Sequence, residues 1–310
     1  MPCMPSTDPS IHGSIHQFIH SFIHFLHSLI HSLAPKLVHP KKVIIMRYLK
    51  KYAFVALLSA RSNVAYTAEV MSRVVFMGVM LYIFSQLWHH AFSGSGSSRL
   101  GGFSIEQMLW YLTLTEAFML SAPRVAMSVD LDVRSGAIVN YLQRPLSYPL
   151  YSLANNLGER LVRFLVNLLA GSVVTTILVG LPHFTFQGLL FFVVAITFAF
   201  IVDFLASFLV GLGAFWLEDT TGLFLIYWRL LVLLGGLLFP LTILPDNVRV
   251  IFECLPFAAI VYGPAKVLLD PDPLQFASVF ARQLFGLALF GSLVSIVYGI
   301  ASKRVFVNGG

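Results

Sequence analysis

Residues 188–216, GLLFFVVAITFAFIVDFLASFLVGLGAFW, carry one ionisable side chain, Asp203, in 29 consecutive positions. A helix in water keeps a polar stripe for solvent, whereas about 20 apolar residues in a row match the roughly 30 Å hydrocarbon core of a bilayer. This segment is built for lipid. The rest of the chain agrees: of 310 residues, 57% are apolar and 11% charged, against about 25% charged in an ordinary soluble domain. A mean hydropathy of +0.82 argues against a soluble enzyme and for a polytopic membrane protein.

Working outward from 188–216, similar runs predict five further spans near 66–88, 105–123, 161–181, 223–244 and 276–301. The expected fold class is an all-α integral membrane protein with six transmembrane helices. The 89–104 connection, HHAFSGSGSSRLGGFS, reads as a flexible polar loop. The 124–160 connection is different, because a helix-like stretch from Val129 to Gln143 stops at Arg144-Pro145. Between spans five and six, Pro245, Pro256, Pro264, Pro271 and Pro273 cut an apolar stretch into pieces too short to span. These are expected as re-entrant or external helices packed on protein.

The chain divides by composition into a leader, 1–42, and a six-span region, 43–310. In the leader, His12, His16, His20, His24, His27 and His31 lie on one helical face, with Ile11, Ile15, Phe18, Phe22, Leu26, Leu29 and Leu33 opposite. Such a helix suits the membrane interface. His at i and i+4 can hold a transition metal, but a low-complexity extension explains the same text without a ligand set, and Met46 is an alternative start. Lys36, Lys41, Lys42, Arg47, Lys50, Lys51 and Arg61 then form a basic elbow suited to anionic headgroups.

Orientation follows from the cations. With a cytoplasmic N-terminus, fourteen Lys and Arg fall inside (that elbow with Arg124, Arg134, Arg144, Arg160, Arg163, Lys303 and Arg304) and four outside (Arg99, Arg249, Lys266 and Arg282). By the retention of positive loops on the cytoplasmic side, both termini are expected in the cytoplasm. Cys3 and Cys254 form no CxxC arrangement, so neither a disulfide framework nor a thiolate metal site is indicated.

The sequence contains no GxxxxGK[ST], GxGxxG or HExxH. Gly94 and Gly96 read as linker, since no Lys-bearing helix follows them. Charges inside spans are costly in lipid and mark candidate sites. Glu69 and Arg73, at i and i+4, are expected to pair. Glu116, Asp203 and Arg229 either line a polar translocation pathway or pair across the bundle. Glu218 and Asp219, at the end of span four, read as a solvated cap or a partner contact.

At GAIVNYLQRPLSYPLY the text becomes familiar: Gly136, Ile138, Leu142, Arg144 and Pro145 resemble the G-x-[IL]-x3-L-x-RP segment in the cytoplasmic loop of ABC-2 type ATP-binding-cassette permeases. Residues 217–269, with Gly235, Pro240, Pro245, Pro256, Phe257 and Pro264, resemble that family's fifth span and the external segment after it, and KRVFVNGG at 303–310 resembles its ending. The resemblance covers Val43 to Gly310. It implies the permease subunit of an exporter in the bacterial cytoplasmic membrane, non-catalytic itself, with no cofactor of its own. ATP and Mg would be bound by a separate ATPase subunit, and a second permease, the same chain or a related one, would complete the pathway.

In that reading the 129–145 segment is a coupling helix. Ile138, Tyr141 and Leu142 would offer an apolar face to the ATPase, Gly136 would allow close approach, Asp130, Asp132 and Arg134 would orient the docked helix by charge, and Arg144-Pro145 would end it. Two other readings compete: an ion-coupled secondary carrier using Glu116, Asp203 and Arg229, which would be expected to show internal repeats, and a membrane-embedded enzyme or metal-handling protein using the His stripe. Membrane lipid is the remaining expected partner, and no nucleic acid is expected.

Overall fold

The computed structural model describes residues 40–64, 67–143, 146–182 and 184–308. The His-rich stretch, Arg144, Pro145 and the side chains of Glu69 and Leu142 lie outside that description, and so do the expectations attached to them. The chain separates into two units, 1–51 and 52–310, and the second holds the helix bundle.

Among the described residues the regular structure is helical, with one isolated bridge, Leu100 to Phe103. In order the helices are α1 (Pro40–Val64), α2 (Thr67–Ser95), α3 (Ile105–Leu120), α4 (Val125–Arg134), α5 (Ile138–Leu142), α6 (Tyr148–Val179), α7 (Phe186–Leu212), α8 (Thr221–Leu234), α9 (Asp246–Cys254), α10 (Pro256–Ile260), α11 (Tyr262–Leu269) and α12 (Pro273–Asn308). Four are long and apolar enough to cross a bilayer: α2, α6, α7 and α12. α7, which holds most of the 188–216 apolar run, is the most enclosed of them and packs against α12, α4 and α11. Gln283 bolts this centre together, donating from a buried position to the carbonyls of Ala195 on α7 and Ala259 on α10, each at 2.9 Å.

The second and fifth expected spans are shorter than the sequence suggested. α3 has 16 residues and every one from Met108 to Met119 is buried, so its solvent is protein. Its start is fixed by a capping box, Ser104 with Gln107. α8 has 14 residues, about 21 Å at 1.5 Å per residue, and stops at Gly235 instead of running to 244. Backbone freed at that stop needs partners if it lies away from water. α3 supplies them: Tyr111 donates to the Gly236 carbonyl and Thr115 to that of Leu237, at 2.9 Å for the latter. Beside Tyr111, Trp110 ties α3 to the α6–α7 turn, its Nε1 donating to the Gly180 carbonyl at 3.0 Å. The proline-cut stretch forms α9, α10 and α11, of 9, 5 and 8 residues, each too short to span.

Candidate functional site

Two places gather the charged side chains. The first is the connection between α3 and α6. The single helix expected over 129–143 is broken: α4 ends at Arg134, and Gly136 takes a positive φ of 73° before α5 begins. A residue with a Cβ rarely adopts that conformation, so Gly136 serves the turn. The expected docking surface changes accordingly. Ile138 is buried, in a cluster with Tyr148, Phe208 and Val129, and Tyr141 lies against Tyr148 and Tyr151 at ring distances of 5.1 and 5.2 Å. The apolar side chains turned outward are Leu131, 65% exposed, and Val139, 38% exposed.

The charges expected to orient a docked partner also make contacts within the chain. Asp130 is buried, forms an ion pair with Arg134 and accepts from the Thr220 hydroxyl at 2.9 Å. Arg134 also donates to the Glu218 carbonyl at 3.1 Å and lies 4.0 Å from Asp219. Asp132 accepts from the Tyr148 hydroxyl at 2.8 Å. These contacts lock α4 to the α7–α8 turn and to the start of α6. Hydrogen bonds from the Thr221 hydroxyl and N–H, helped by Arg134, hold the Asp219 carboxyl below the ordinary aspartate range.

The second place is the interior. Asp203 on α7 accepts from Arg160 on α6 at 2.5 Å and from the Tyr227 hydroxyl on α8. The Arg160 guanidinium lies over the rings of Phe118 and Phe200, 4.3 and 4.5 Å from their centroids, a cation–π arrangement. In the sequence Arg160 counts with the cytoplasmic loops, because span three is expected only from 161. α6 starts instead at Tyr148, and Ser147 with Pro149 is the helix-start signal that marks it. Glu116 is buried on α3 and has no hydrogen bond or ion pair among the described residues, while Arg229 is exposed on α8. Among the described residues no hydrogen bond or ion pair links Glu116, Asp203 and Arg229 to one another.

No cluster of His, Cys, Asp and Glu suited to a metal occurs among the described residues. Comparison with known families is decisive for a helical chain of this kind: the profile described as "ABC-2 family transporter protein" matches residues 74–309. The chain belongs to the ABC-2 transporter family. It is a multi-pass membrane protein, the permease subunit of an ABC transporter, in a family of generally non-catalytic subunits that work with an ABC ATPase. The match begins at Val74, inside α2, whereas the resemblance in sequence extends back to Val43. No curated protein matches the permease.

Proposed function

We propose that this permease exports its substrate across the bacterial cytoplasmic membrane, that both termini are cytoplasmic, and that α4 and α5 transmit the movement of an ATPase which alone binds ATP and Mg. In this reading α3 and α8 count with the four long helices as spans, and a second permease completes the pathway. The observation that carries the coupling role is the locked connection: α4 is fixed to two neighbouring elements through Asp130, Arg134 and Asp132, yet it turns Leu131 outward. A transmission element needs that combination, since a force applied at its surface must reach the helices behind it. The excess of cations on the same side of the sequence, by the positive-inside rule, supports a cytoplasmic placement.

Leu131→Asp tests this. The substitution removes an exposed side chain, so the fold should survive, while a carboxylate enters any apolar groove that receives α4. Co-purification with the ATPase, or the coupling of its ATP hydrolysis to transport, should fall at least about tenfold, the scale of 1.4 kcal/mol in binding. Normal capture of the ATPase together with normal transport would remove α4 from the interface.

A further inference from the structure

A polar cleft of about 370 Å³ opens where the α3–α4 connection meets α2 and the first turns of α6. Three guanidinium groups line it, Arg73, Arg124 and Arg163, against one carboxylate, Glu159, which is paired with Arg163. Among the lining side chains guanidinium groups outnumber carboxylates. Arg124 is exposed and has no hydrogen bond or ion pair among the described residues. It is also the N-cap of α4, whose first turn has neither a side-chain cap nor an acidic residue. Val125 and Ser128 of that turn line the cleft, so the positive end of the α4 dipole faces the same space.

Asn156 supplies an independent sign of a ligand. It is 3% exposed, lines the cleft, and neither its Nδ2 nor its Oδ1 has a hydrogen-bond partner. A buried amide left without partners costs about 1–3 kcal/mol, and such a group ordinarily finds a protein, water or ion partner. Guanidinium forks, a free helix start and an amide donor together recognise tetrahedral oxyanions.

We propose that this cleft binds a phosphate-type anion, the group shared by a phospholipid headgroup and free phosphate. The cleft takes in the first turn of α4, one turn before the Leu131 surface assigned to the ATPase, but anion binding there does not depend on that assignment.

The test is thermal unfolding of the full chain in neutral detergent. Additions are inorganic phosphate, sodium chloride of equal ionic strength, and mixed micelles of phosphatidylcholine with or without phosphatidylglycerol. Stabilisation is expected from phosphatidylglycerol or phosphate beyond that from chloride or phosphatidylcholine. Arg124→Gln should weaken the apparent affinity about tenfold, the scale of one charge-assisted hydrogen bond. Ser128→Glu, which adds a carboxylate at the exposed lip, should weaken it at least as much. Arg61→Gln, an exposed arginine of α1 outside the cleft, should leave it unchanged. Stabilisation by phosphatidylglycerol alone identifies the lipid, and stabilisation by phosphate as well identifies the free anion. If neither stabilises, or if Arg124→Gln and Ser128→Glu both respond like the unaltered chain, the cleft is not an anion site.

Discussion

Arg160 is among the largest fully buried side chains of the permease, and its position rests on two supports of different kind. The Asp203 carboxylate neutralises it, and two aromatic faces replace part of its hydration. Taking both charges out of water is expensive, so the pair contributes less net stability than its short distance suggests, whereas removing one partner strands the other. Asp203→Asn should therefore cost about 3–5 kcal/mol. Replacing both partners by apolar residues of similar size, Arg160→Met with Asp203→Leu, should recover most of the loss. Thermal unfolding in detergent reads both, and an unaltered melt for Asp203→Asn would show that the pair is not closed in solution. Asp203 stands out in the sequence because a lone acid interrupts an apolar run. Its partner does not, because Arg160 sits beside cations that look like loop residues until the helix start at Tyr148 is known. At the surface, Asp219 titrates below its ordinary value of 3.8. A lowered carboxyl keeps its contribution above the ordinary pKa and loses it as pH falls through the lowered one. Asp219→Asn should accordingly leave the pH dependence of unfolding unchanged from pH 5 to 8 and alter it only in stronger acid.

At the scale of elements, the broken helix between α3 and α6 shows where periodicity misleads. Residues 129–143 carry apolar positions at helical spacing, and the pattern passes through Ser135-Gly136 without a gap in register. Glycine inside such a pattern is compatible with a helix, a cap or a turn; here the positive φ decides for the turn. Gly136→Val should cost at least about 1–2 kcal/mol, the penalty of a left-handed residue with a Cβ, and should reduce ATPase capture by misaligning α4 against α5. Equal melting and equal capture would show the turn to be dispensable. The halves of the site differ in legibility for the same reason. Charges at 130, 132 and 134 are visible in the sequence, but the groups that consume them, Thr220, the Glu218 carbonyl and Tyr148, lie in other elements. A comparable long-range constraint joins α1 to α6: a Cβ at Gly158 would stand 2.0 Å from the Ala56 carbonyl oxygen. Sequence spacing contains no sign of that approach.

For the whole permease, the question is what covers α8. Its two buried residues, Tyr227 and Leu231, face the bundle, while Leu225, Ile226 and Leu233 are more than half exposed and Arg229 is exposed among them. A face of leucine and isoleucine alone would be content with lipid tails. With α8 counted as a span, an arginine in its middle would not, because a cation at bilayer depth costs about 2.5–3.5 kcal/mol on insertion scales and more on an isolated helix. A second permease laid along α8 would replace hydrocarbon beside Arg229 with protein polar groups, which is the physical case for pairing through this face. The exposed face of α6 is the contrast, since Leu169, Val173 and Ile177 carry no charge among them and suit lipid directly. Single cysteines at Ile226 and Ile177, with Cys3 and Cys254 both replaced by Ser, separate the two faces. Ile226→Cys should cross-link two copies in membranes under mild oxidation, and Ile177→Cys, although 79% exposed, should remain monomeric. Arg229→Leu should leave the monomer folded but weaken the Ile226 cross-link, because it makes lipid an acceptable neighbour for α8. Equal cross-linking at both positions, or none at Ile226 in membranes that hold the assembled transporter, would place a second copy of this chain elsewhere.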